Sequence, residues 1–150
     1  NAWSILQGVE TLSLRMDRHW SNTDKVVAFL QKQGAVESIN YAGLPSSPWH
    51  ERAKKYFGGK GYGSVIAFVV KGGRENGQKF AEALKLHSHV ANIGDVRSLV
   101  IHPASTTHSQ LTEDEQRSAG VEPGLVRVSV GLESIEDILA DLQLGFDAIK

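Results

Sequence analysis

The sequence predicts an α/β (α+β) fold, a small mixed sheet packed against helices, and three observations predict it. Residues 64–70, "SVIAFVV", are β-branched and almost wholly apolar, the pattern of a buried strand. Residues 125–130, "LVRVSV", alternate, so Val126, Val128 and Val130 share one face and Leu125, Arg127 and Ser129 the other. Between such runs lie segments with apolar residues at steps of three and four, the spacing of helices with one buried face.

In chain order, "SILQGVETLSLRMDRHW" carries Ile5, Val9, Leu12 and Met16 on one helical stripe. A second helix is expected to be capped by Asn22 or Thr23 and to stop at Gly34. "AVESINY" reads as a short strand and "AGLPSSP" as a loop. "WHERAKKYF" is a short helix ending at Gly58 and Gly59. After the buried strand come a helix over "RENGQKFAEALKL" and a short strand, "RSLVI". "LTEDEQRSAG" holds Thr112 and Glu115 at capping-box spacing and ends at Gly120. The alternating strand follows. A last helix, capped by Ser134, has Ile135, Ile138, Leu139, Leu142 and Phe146 as its inner face. No repeat or linker divides the 150 residues, so one domain is expected. The first helix can also pack against something outside the chain.

Composition narrows the function. Sixteen basic residues against 17 acidic give no electrostatic footprint for nucleic acid or a membrane surface. The absence of cysteine excludes disulfides and thiolate metal sites and is compatible with the cytoplasm. No apolar run approaches the ~20 residues that span a bilayer. The chain begins without methionine and inside a helical pattern, which suggests a piece of a longer protein.

Most candidate motifs have plain readings. "FGGKGYGS" fits neither a phosphate loop, because Lys60 is followed by Gly61, nor a dinucleotide loop, because Ile66 replaces the last glycine; it is expected to be a turn. His87 and His89 fall on one face of an extended segment, but no third metal ligand is near, and a surface pair is expected. His102 and His108 flank "PASTT", a loop suited either to polar substrate contacts or to satisfying its own backbone. No serine sits in a nucleophile elbow.

Arg127 is different. A guanidinium in the middle of the alternating strand points away from the apolar layer, toward a partner. That partner is either a structural carboxylate or a carboxylate ligand clamped by two parallel hydrogen bonds, for which a strand is a rigid mount. Arg97, at the start of its strand, has the look of an exposed residue.

Three segments, "INYAGLPSSPWHERAKKYF", "NIGDVRSLVIHPASTTHSQLTEDEQRSAGV" and "PGLVRVSVGLESIEDILADL", together resemble the C-terminal part of the transsulfuration family, the Cys/Met-metabolism enzymes that use pyridoxal phosphate, and within it the O-acetylhomoserine sulfhydrylase branch. The resemblance covers essentially the whole chain. It implies the small, largely antiparallel C-terminal domain of a fold-type I pyridoxal-phosphate transferase, with residues 1–20 as an interdomain helix and the large cofactor domain outside the chain. It implies that Arg127 binds the substrate α-carboxylate, that Ser98 lines the same pocket, and that the 102–108 loop, with Thr107, closes one side. Arg97 stands where related lyases carry an acidic residue. The implied reaction is γ-replacement: acetate leaves O-acetyl-homoserine, sulfide adds, and homocysteine forms. The implied partners are the amino-acid substrate, the chain's own large domain and further copies in a homotetramer. None of Lys25, Lys32, Lys54, Lys55, Lys60, Lys71, Lys79, Lys85 and Lys150 has the serine/threonine-rich context of the family's Schiff-base lysine. No catalytic, cofactor-binding or metal-binding residue is therefore expected in this chain, and alone it is expected to be inactive. Two other classes stay open at this point: a stand-alone amino-acid-binding module and a purely structural assembly domain.

Overall fold

A computed structural model describes residues 1–150. Its elements are helices α1 (Ala2–Glu10) and α2 (Leu12–Leu30), strand β1 (Val36–Asn40), α3 (His50–Phe57), β2 (Val65–Val70), α4 (Gly73–Ala83), β3 (Ser88–His89), β4 (Leu99–Ile101), a single 3₁₀ turn (Pro103–Ser105), α5 (Glu113–Ser118), β5 (Leu125–Ser129) and α6 (Ile135–Asp147). The five strands form one sheet in the order β1-β2-β5-β4-β3. All neighbours are antiparallel except β3 and β4, so the sheet is mixed and largely antiparallel, as expected. β5 is its central strand. The two-residue β3 has no signal in the sequence.

One face of the sheet carries the core. Val126, Val128 and Val130 are fully buried with Ile66 and Phe68 of β2, against Val26 and Leu30 of α2, Phe80 of α4, and Ile138, Leu142 and Phe146 of α6. Burying each such side chain contributes about 1.5–3 kcal/mol. Phe80 is the hub: its ring meets Phe68 at 5.5 Å and Phe146 at 4.8 Å, both nearly edge-on. Gly145 makes room for it, since a Cβ there would stand 2.7 Å from the Phe80 ring.

Three local expectations are corrected. The break between the first two helices falls at Thr11, and α2 runs straight through Asn22 and Thr23. Neither caps anything, because both face the fold interior: Thr23 Oγ1 donates to the His19 carbonyl and Asn22 Nδ2 to two carbonyls of the chain after β5. With those partners the side chains no longer compete for the helix backbone. Ser134 precedes α6 without a side-chain cap; its hydroxyl donates to Glu136 instead. His87 is not on the surface but buried, paired with Asp141. The Thr112–Glu115 capping box forms as expected.

α1 buries no residue, and Trp3, Ile5, Leu6 and Val9 all project into solvent. The Ile5–Val9 part of the stripe seen in the sequence faces away from this domain, while Leu12 and Met16, on α2, line a cavity of it.

Candidate functional site

The second face of the sheet is shaped around Arg127. Ladder partners on both sides are apolar, Ala67 on β2 and Ile101 on β4. The guanidinium makes one hydrogen bond, from Nη2 to the Asn92 carbonyl at 3.2 Å. None of the chain's ion pairs involves Arg127, so no carboxylate of this chain is its structural partner. Since the guanidinium has five N–H donors in a planar fork, most of it is available to a ligand. On the same face Ser129 is buried and its hydroxyl has no partner. Next to it opens a cavity of about 240 Å³ lined by Leu12, Arg15, Met16, His19, Val65 and Ile93. Val65 is the ladder partner of Ser129, which ties this cavity to the face that bears Arg127.

Residues from α2 hold the chain that follows β5. His19 Nδ1 lies 2.6 Å from the Val130 carbonyl and so carries the ring proton. Asn22 Nδ2 donates to the carbonyls of Gly131 and Glu133, each at 3.0 Å. The strand bearing Arg127 is thereby fixed at its C-terminal end by a helix on the core face.

Ser98 lies on β4's side, three residues before Ile101, roughly 10 Å along the strand from the Arg127 partner position. It is fully buried, and its hydroxyl is committed: it donates to Glu133 Oε2 at 2.9 Å and accepts the Gly131 N–H at 2.9 Å. Its amide donates to Glu133 Oε1 at 2.7 Å, and its carbonyl accepts from Ser88. Ser98 thus acts as a buttress between β4 and β5.

The 102–108 loop leaves β4 directly after Ile101 and satisfies itself. His102 Nε2 donates to the Pro123 carbonyl at 2.8 Å, which leaves Nδ1 to accept from Ser105 Oγ at 2.8 Å. Burial holds the His102 pKa below its ordinary value, consistent with a neutral ring. Thr106 Oγ1 donates back to the His102 carbonyl. Thr107 is exposed, and its hydroxyl meets only His108 Nδ1, at 2.8 Å. Arg97 is exposed and paired with Asp95 at 3.2 Å.

His87 and Asp141 form a second buried polar pair. Asp141 Oδ2 takes the His87 ring Nδ1–H at 2.7 Å, and the carboxylate also accepts the amides of Lys85 and His87. Burial pushes the His87 pKa down despite the carboxylate. Burial alone would raise Asp141, but the His87 ring and those amides hold it below its usual value. The pair is a neutral imidazole on an ionised carboxylate.

His19, Glu133 and Asp141 did not stand out in the sequence, and Asn22 did so only as a helix cap. A signal existed for three of them: His19 and Asn22 recur at helical spacing with Val26 and Leu30, and Asp141 lies on the same stripe as Ile138 and Leu142. Polar residues on an apolar stripe need buried partners.

A pyridoxal-phosphate site needs a lysine projecting into a cavity, and every lysine of this chain is exposed. The residues present therefore do not fit the cofactor by themselves.

The fold is a mixed, largely antiparallel sheet packed against helices, with an arginine mounted on its central strand. The profile of the Cys/Met metabolism PLP-dependent enzyme family matches residues 1–147, and the chain belongs to that family. It is 57 % identical over 143 residues to an O-acetyl-L-homoserine sulfhydrylase of Leptospira meyeri, covering 95 % of this chain and 32 % of that protein. It is 46 % identical over 149 residues to an L-methionine gamma-lyase of Fusobacterium nucleatum subsp. polymorphum, covering 99 % of this chain and 37 % of that one. Its fold matches a Campylobacter jejuni protein solved with N'-pyridoxyl-lysine-5'-monophosphate, at a TM-score of 0.89 and 40 % identity over 98 % of this chain and 35 % of that chain. The chain spans about a third of the length of the curated relatives it matches. No helix is long and apolar enough to cross a membrane.

Proposed function

We propose that this chain is the C-terminal, substrate-anchoring domain of a cytoplasmic O-acetylhomoserine sulfhydrylase that works as a homotetramer. The observation that carries this reading is Arg127, a guanidinium without a protein carboxylate at the centre of the sheet. Two parallel N–H donors on a rigid strand suit an α-carboxylate. Clamped there, an amino acid can turn only about one axis, which narrows the directions its Cα–H and its γ-carbon can take. In the proposed reaction the γ-carbon–oxygen bond of O-acetyl-homoserine breaks, acetate departs, and a carbon–sulfur bond to hydrosulfide replaces it, giving homocysteine. Pyridoxal phosphate, held by the remainder of the protein, supplies the electron sink. No step of that chemistry is assigned to this chain.

Ser98 enters this reading as the buried support of the carboxylate pocket, and Thr107 as the exposed hydroxyl of a loop closing one side. The apolar face of α1 is the surface on which the chain's own large domain would pack, so that residues 1–20, the expected interdomain helix, are α1 together with the first turns of α2. Sulfhydrylase is favoured over gamma-lyase by the higher identity to the former and by Arg97.

The test compares the full-length protein with the 150-residue chain. The full-length protein is expected to be yellow and to form homocysteine from O-acetyl-homoserine and sulfide; the chain alone is expected to be colourless and inactive. A colourless full-length protein, or one that only eliminates methionine, contradicts the proposal.

A further inference from the structure

We infer that Glu133 is a positioning residue for the carboxylate anchor, acting through the loop that touches Arg127; this rests on the function proposed above. Residues 90–97 cross the Arg127 face, and their only bond to the guanidinium is the Asn92 carbonyl at 3.2 Å. The far end of that loop is latched by Glu133. Its two carboxylate oxygens grip Ser98 at once, Oε1 taking the amide at 2.7 Å and Oε2 the hydroxyl at 2.9 Å. Alongside, the Leu132 amide donates to the Val96 carbonyl at 2.8 Å.

Glu133 is itself held rigidly. Its carbonyl accepts from Asn22 at 3.0 Å and from Arg18 at 3.3 Å. The latch closes only over a glycine: a Cβ on Gly131 would stand 2.2 Å from Glu133 Oε2 and 2.4 Å from the Ser98 nitrogen. Backbone contact as close as the latter cannot be relieved by a rotamer change. Helix α2 therefore holds the Glu133 backbone, the Glu133 carboxylate grips Ser98 ahead of β4, and that grip fixes where the 90–97 loop ends. Releasing it lets the loop drift and the Arg127 fork lose its alignment, which an incoming carboxylate would feel first.

The test uses the full-length, cofactor-loaded protein and four variants: E133A, E133Q, R127K and R127K/E133A. KM and kcat are measured for O-acetyl-homoserine and for sulfide. E133A is expected to raise the amino-acid KM about tenfold or more, with kcat changed less than about threefold and the sulfide KM unmoved. E133Q is expected to recover most of the loss, because its amide oxygen still accepts the Ser98 N–H. In the double variant the amino-acid KM is expected to rise by less than the product of the two single effects, since both act on one contact. An unchanged KM in E133A, an even loss across kcat and both KM values, or multiplicative effects in the double variant would overturn the inference. If E133A does not fold, E133D, one methylene too short for the double grip, is read by the same criteria. An R127K protein with normal KM overturns the anchoring reading and this inference together. A shifted R127K with an indifferent Glu133 overturns the inference alone.

Discussion

Asn22, in the middle of α2, donates its amide to the Gly131 carbonyl at 3.0 Å, four residues beyond Arg127. A side chain that reads as a helix cap in the sequence is a clamp between a helix and the central strand. Asn22→Ala leaves the buried Gly131 carbonyl without its donor, while the Glu133 carbonyl keeps Arg18. The expected cost is about 1–3 kcal/mol of stability, read as a lower denaturant midpoint of the full-length protein. A midpoint equal to that of the wild type would show that the clamp is dispensable.

The His87–Asp141 pair makes the contact between residues 85–87 and α6 sensitive to acid. His87 has a folded pKa below its ordinary 6.5, so the unfolded segment binds the extra proton more readily. Its contribution is full above pH 6.5 and is lost as pH falls through the folded value. Asp141, depressed below 3.8, adds a second loss at still lower pH. Hydrogen exchange of the 84–90 segment, corrected for its intrinsic pH dependence, is expected to be more protected at pH 7 than at pH 5. Asp141→Asn is expected to weaken protection at both.

Gly145 is predicted to be intolerant of even one methyl group. Gly145→Ala places a carbon 2.7 Å from the Phe80 ring, and the ring is fixed by two aromatic neighbours. Overpacking of this kind costs about 1–3 kcal/mol, despite the better helix propensity of alanine. Thermal unfolding is the measurement; a rise in Tm would contradict the packing described.

The 150-residue chain by itself is expected to self-associate through α1. Trp3, Ile5, Leu6 and Val9 form a contiguous exposed apolar face with nothing to cover it in this domain. Sedimentation velocity of the chain with Ile5→Asp and Val9→Asp is expected to show a shift toward monomer. No change would place the association elsewhere.

How much of this was legible in the sequence follows from which interactions are local. The strands around Val128 and Phe68 and the capping box at Thr112 announce themselves, because period-2 burial and cap spacing are properties of neighbouring residues. The direction of Arg127 was legible for the same reason. The Asn22–Gly131 and Ser98–Glu133 contacts were not: they join residues more than 30 positions apart, and a polar side chain on an apolar stripe tells that a partner exists without telling which. β3 escaped because two residues cannot carry a period. His87 looked superficial because its partner, Asp141, arrives from the last helix.

Arg127 is proposed to hold the substrate carboxylate. The most direct measurement is the inhibition of the full-length protein by an amino acid and by the matching amine that lacks the carboxylate. The wild type is expected to prefer the amino acid by about 2–4 kcal/mol, roughly thirtyfold to several hundredfold, and Arg127→Ala is expected to abolish that preference while binding the amine as before. If Arg127→Ala keeps the preference, the carboxylate is held elsewhere and the account of this strand is wrong.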